Sequence, residues 1–204
     1  MLQNTFRQLV TAYTQDEPLI QKLWNEIAQK HSEKGRHYHT LIHLENLVIE
    51  LSQVQQDIED WNTLLFAVFY HDSVYNVLKN DNEETSALLA VERLTQLGVA
   101  PENRLRCRLH ILATKGHQTM DDGDTNLFTD ADLSVLGKPW EVYEAYSRQV
   151  RQEYHIYPGL VYKPGRKKVL QHFLQMPQIY KTPFFYQQYE QQARVNLQQE
   201  LDRL

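Results

Sequence analysis

Apolar positions recur at intervals of three and four along most of this chain, the spacing that lines one face of an α-helix. Leu19, Ile20, Leu23, Trp24 and Ile27 follow it, and so do Leu41, Leu44, Leu47, Val48, Leu51 and Val54. The pattern predicts helices over 3–14, 17–31, 40–55, 60–73, 82–97 and 101–115, then 130–136, 139–154, 166–174 and 183–201. No stretch shows sustained alternation of period two, so the fold class is all-α. Several predicted ends carry the expected chemistry. Asn82 with Glu83 and Glu84 suits a helix N-terminus, Pro101 suits a first helical position, and Thr182 suits an N-cap. Residues 116–127 read as a polar loop and 157–165, with Pro158, Gly159, Pro164 and Gly165, as the longest irregular stretch. The run Asp121-Asp122-Gly123-Asp124 lacks the remaining ligands of a twelve-residue calcium loop and reads as a solvated turn.

One predicted helix breaks the amphipathic rule. In Leu64-Leu65-Phe66-Ala67-Val68-Phe69-Tyr70 every face is apolar, so the helix is a buried one, and it runs directly into His71-Asp72. Placing an imidazole and a carboxylate at the end of a buried helix strips both of water, and the carboxylate then needs a cation or several donors. Upstream lies Tyr38-His39-Thr40-Leu41-Ile42-His43, downstream Asp130-Ala131-Asp132-Leu133-Ser134. His39 and His43 are one helical turn apart and can converge on one point. His71 and Asp72 diverge by about 100° around their helix, yet both can reach an ion lying off its end. Asp130 and Asp132 point roughly 200° apart, so only one can serve that point. Asp132 is the expected partner, and Asp130 the helix-end charge.

Composition narrows the class without naming a function. The chain has 204 residues, a charged fraction of 23% and a net charge of −5. These values suit one soluble domain with a substantial core and argue against general nucleic-acid binding. Cys107 is the single cysteine, so no internal disulfide forms. With no long apolar run and no signal-peptide pattern, the expectation is a cytoplasmic protein with no membrane partner.

The ordered set His, His-Asp, Asp resembles the HD superfamily of metal-dependent phosphohydrolases, whose ligands come from separate helices of an all-α core. Tyr38-His39-Thr40-Leu41-Ile42-His43 is similar to the Tyr-His-Asn-x-x-His segment of the cyclic nucleotide phosphodiesterases, members of the same broad superfamily. Ala131-Asp132-Leu133-Ser134 is similar to the segment that carries their last metal aspartate. A small bacterial group of predicted HD-superfamily phosphohydrolases is the nearer likeness. It adds Tyr75, Asn82-Glu83, Ser86-Ala87, Thr114-Lys115 with His117, Arg151, Glu153-Tyr154, Gly165-Arg166, and Ala193-Arg194 with Asn196-Leu197. The resemblance implies an HD-domain helical bundle forming one domain over 1–204, with a core at about 37–137 and additional C-terminal helices at 139–204. It implies His43, His71, Asp72 and Asp132 as metal ligands and His39 as the group that protonates the leaving oxygen. Thr40 replaces the phosphodiesterase asparagine, and their purine-clamping glutamine is not recognisable, so cyclic nucleotides are not implied.

A site of two imidazoles and two carboxylates favours Mn²⁺, Fe²⁺, Co²⁺ or Ni²⁺ over Mg²⁺. The expected activity is hydrolysis of a phosphoester in a small nucleotide-like or other phosphorylated metabolite by metal-activated water. The alternatives are a non-catalytic HD-fold nucleotide or signal-binding module with a structural metal, and an iron-dependent HD-type oxygenase. Further candidates stand outside the ligand set. Glu83 can order the attacking water or simply charge its helix end. His117 and Lys115 can contact a second metal ion or a phosphate. His110 reads as a buried structural histidine, His31 and His37 as solvent-facing. Arg148, Arg151 and Arg166 can recognise phosphate or form surface ion pairs. The aromatic tail around Tyr180, Phe184 and Tyr189 suits core packing or a homodimer seam.

Overall fold

The computed structural model describes all 204 residues. It is all-helical, with ten α-helices and no strand. They are α1 Leu2–Thr11, α2 Glu17–Lys30, α3 Leu41–Ser52, α4 Trp61–Tyr70, α5 Asn82–Gln96, α6 Pro101–Ala113, α7 Gly123–Asp132, α8 Trp140–Glu153, α9 Gly159–Gln175 and α10 Pro183–Arg203. No helix is long and apolar enough to cross a membrane. The chain forms two compact units, Met1–Thr129 and Asp130–Leu204. The boundary falls inside α7, ahead of the break expected at 137–139.

In the first unit α4 packs against α1, α3, α5 and α6, which is why none of its faces is polar. Thr63 to Tyr70 are all buried. Phe69 meets Phe6 edge-on at 5.0 Å and Phe66 meets Tyr13 at 5.5 Å. Removing a side chain the size of Phe66 from such packing costs about 3–5 kcal/mol. The start of α4 is held equally firmly. Asp60 accepts from the Thr63 backbone N–H at 3.0 Å and its hydroxyl at 2.6 Å. Asn103 of α6 donates to the same carboxylate at 2.6 Å. Asp124 accepts from the backbone N–H groups of Glu59 and Asp60 at 2.8 and 2.9 Å. With its body packed and its start constrained, the direction in which α4 delivers His71 is set by the core.

Asp121-Asp122-Gly123-Asp124 is therefore neither a calcium loop nor a solvated turn. Asp122 caps α7, accepting from the Thr125 backbone N–H at 2.8 Å, and Asp124 is buried against the α4 N-terminus. This cap starts α7 at Gly123, seven residues before the helix expected at 130, and 133–137 forms a tight 3₁₀ turn instead.

The second unit is built from the end of α7, that turn, and α8 to α10. Gly137 lies so close to α10 that a Cβ would come within 2.5 Å of Tyr189 Cβ and 2.7 Å of its carbonyl oxygen. Asn196 of α10 donates to the carbonyls of Leu136 and Lys138, each at 2.8 Å. Arg166 and Glu200 form a buried two-pronged pair at 2.8 Å. The irregular stretch expected at 157–165 is the first turns of α9. Pro164 lies inside that helix, and the carbonyl that loses its donor belongs to Leu160, which is 91% exposed and faces water.

Candidate metal centre

Two helix ends meet in the first unit. Thr40 is the N-cap of α3, so His43 falls in its first turn and points inward while the adjacent Ile42 is exposed. His71 is the C-cap of α4. Its Nδ1 lies 2.9 Å from the Val68 carbonyl, one of the groups a helix C-terminus leaves without a partner. A carbonyl only accepts, so Nδ1 carries a proton and donates it. In the neutral ring Nε2 is then a bare lone pair.

Two groups of the cluster lie close to that nitrogen. His71 Nε2 lies 3.2 Å from His43 Nε2 and 3.0 Å from Asp72 Oδ2. Asp72 Oδ2 is also 3.7 Å from His43 Nε2 and 3.9 Å from His39 Nε2. The His71 and His43 side chains are only 1% and 3% exposed, so water screens them little. Burial alone would raise the Asp72 pKa. When the neighbouring His71, His39 and His43 rings are protonated, their positive charge outweighs burial and holds the carboxyl well below its usual range. An ionised carboxylate beside two imidazole nitrogens favours positive charge among them, either a ring proton or a bound cation. Asp132 closes α7. It belongs to the second unit and is the remaining ligand that the resemblance implies. The donor set of nitrogen and carboxylate oxygen suits a first-row divalent ion. The Val68 carbonyl fixes the His71 ring as an outer partner does in such sites.

His39, 20% exposed, stacks on Tyr75 with ring centroids 4.3 Å apart and touches Tyr38 edge-on at 5.0 Å. Of the predicted site residues, His39, His43, His71 and Asp72 are thus brought together in this unit. Several other candidates have the following surroundings. Lys115 donates to Glu84 and to the Asn80 carbonyl, each at 2.6 Å, and Glu83 lies 4.0 Å from it. His117 takes a left-handed backbone conformation, φ 49°, and its N–H donates to the Ala113 carbonyl, closing the end of α6. His110 is buried with Nδ1 2.7 Å from Thr125 Oγ1, and burial pushes its pKa down. His31 is not solvent-facing: it is buried, its Nδ1 donates to the Ile27 carbonyl at 2.9 Å, and burial pushes it down to about 3. His37 is exposed.

In the second unit Arg148 pairs with Glu144 at 3.2 Å, and Arg151 donates to the carbonyls of Tyr154 and Tyr157. A cavity of about 390 Å³ in this unit is lined by Tyr154, Tyr157, Tyr162 and Arg166 among others and contains no predicted ligand. Sequence reasoning passed over Arg36, whose side chain reaches both histidine-bearing segments. No family model matches the chain, and neither does any curated protein or solved structure.

Proposed function

We propose that this chain is a metal-dependent phosphohydrolase of the HD type, with His43, His71, Asp72 and Asp132 holding a divalent transition metal. The observation that carries the reading is the meeting of His43 Nε2, His71 Nε2 and Asp72 Oδ2 within 3.7 Å, with the His71 proton already committed to Val68. An ion bound there supplies a Lewis acid for a phosphoryl oxygen and acidifies water at neutral pH. The chain's own part is to hold the ligands in one orientation and to present a proton. His39 stands 3.9 Å from Asp72 Oδ2, more exposed than the ligand histidines and braced by Tyr75. An imidazolium there can give its proton to a departing alkoxide, and imidazole is the side chain best matched to that task near pH 7. Substrates of this class are phosphoesters of small nucleotide-like or other phosphorylated metabolites.

The test begins with metal-free protein titrated with Mn²⁺, Co²⁺, Ni²⁺ and, without oxygen, Fe²⁺. The loaded forms are then assayed on nitrophenyl phosphates, bis-nitrophenyl phosphate and a nucleotide panel. Hydrolysis that chelator stops and His43→Ala abolishes is the expected result. Failure to take up any of these ions overturns the reading, as does an iron-loaded form that consumes O₂ and cleaves no phosphoester.

A further inference from the structure

The loop ahead of α3 carries a buried arginine. The side chain of Arg36 is only 3% exposed, unusual for a residue normally left in water. Its guanidinium joins two chain segments 36 residues apart. Nη1 donates to the Asp72 carbonyl at 2.7 Å and to the His39 carbonyl at 3.2 Å, and Nη2 donates to the Ser73 carbonyl at 3.3 Å. Nε is 3.9 Å from the Glu33 carboxylate, and the guanidinium carbon is 5.4 Å from the Tyr75 ring centre. Tyr75 in turn stacks on His39. Arg36 therefore binds the backbone of His39, the backbone of Asp72 and the ring that supports His39.

The geometry assigns to Arg36 the role of a positioning residue that sets the relative placement of His39 and Asp72, an inference that rests on the metal-centre reading above. The chemistry requires arginine. A planar fork can address three carbonyls on two segments at once, whereas a lysine ammonium is a compact point charge on a flexible stem. The location suits a cation as well, because the turn after α4 continues the negative end of its helix dipole. Without the clamp, the Asp72 turn and the His39 loop each keep local bonds but lose their shared reference. The Asp72 carboxylate then must be ordered when an ion binds rather than beforehand, and affinity falls by the cost of that ordering.

The experiment measures Co²⁺ dissociation constants and visible absorption for the wild-type chain and for Arg36→Met and Arg36→Lys, with circular dichroism confirming that each is folded. Arg36→Met should weaken Co²⁺ by roughly 10–100-fold, the usual effect of losing an outer partner of a metal ligand, and alter the absorption band. Arg36→Lys should recover only part of the affinity. A role confined to fold stability would lower the melting temperature and leave dissociation constant and spectrum unchanged in the folded protein. If Arg36→Met does not fold, Arg36→Lys carries the test. Either folded variant binding Co²⁺ within twofold of wild type with the same spectrum overturns the assignment alone. Wild-type protein that takes up no Co²⁺ overturns both the assignment and the metal reading beneath it.

Discussion

Asp130→Asn should unfold the second unit more readily without touching metal uptake, although the residue lies two positions from a proposed ligand. Asp130 is 0% exposed. One of its oxygens accepts from the backbone N–H groups of Lys181 and Thr182 at 2.9 and 2.7 Å and from the Thr182 hydroxyl at 2.8 Å. The other accepts from Lys181 Nζ at 3.0 Å, and that ammonium is itself 3% exposed. Asparagine can keep one acceptor, but its NH₂ group then faces the ammonium and leaves a buried charge unpaired. Breaking a buried pair from one side costs about 3–5 kcal/mol. For a chain of this length 1 kcal/mol corresponds to roughly 2–4 °C in melting temperature, so the expected drop is about 6–20 °C. Asp132→Asn, at a half-buried position, should cost less stability than Asp130→Asn and abolish Co²⁺ binding. Thermal unfolding by circular dichroism and metal titration on both variants separate the two roles. A loss below about 1 kcal/mol in Asp130→Asn, or metal loss there with retention in Asp132→Asn, refutes the division of labour.

Three further outcomes follow from the same geometry. His39→Ala should keep bound metal yet lower kcat on an alkyl phosphoester by roughly 10²–10⁴-fold, with a smaller loss on a nitrophenyl ester whose leaving group needs no proton; loss of metal would make His39 a ligand. Gly137→Ala should destabilise the second unit by at least about 1–3 kcal/mol in urea titrations, because its methyl would strike Tyr189 backbone that cannot turn aside; a change near zero would contradict that packing. His31 titrates at about 3 in the fold against 6.5 in the open chain, so between those values the unfolded chain binds more protons and stability falls as pH drops. His31→Gln should flatten that dependence by up to about 1.4 kcal/mol per pH unit, and a slope equal to wild type would refute it.

The sequence by itself determined the helical class and the buried character of α4, while the grouping of its terminal His71-Asp72 with His39 and His43 was what the resemblance to the HD superfamily implied. The first two depend on periodicity, which local sequence records. The helix through Pro164 was not legible for the same reason, since a proline lowers helix propensity whatever lies around it, and the exposed position of Leu160 is what leaves its carbonyl open to water there. Tertiary structure alone decided which polar residues serve the fold. Asp130 and Asp132 are the same residue type two positions apart, yet Asp130 is fully buried and clamps the start of α10 through Lys181 and Thr182 while Asp132 is half-buried at the end of α7. His31 is consumed at a helix end, and Arg36 leaves an apparently solvated loop to reach carbonyls 36 and 37 residues away. A charged side chain is equally comfortable in water or against a full set of partners. Its fate is therefore set by whether the folded backbone brings those partners within about 3 Å, a distance that no local pattern encodes.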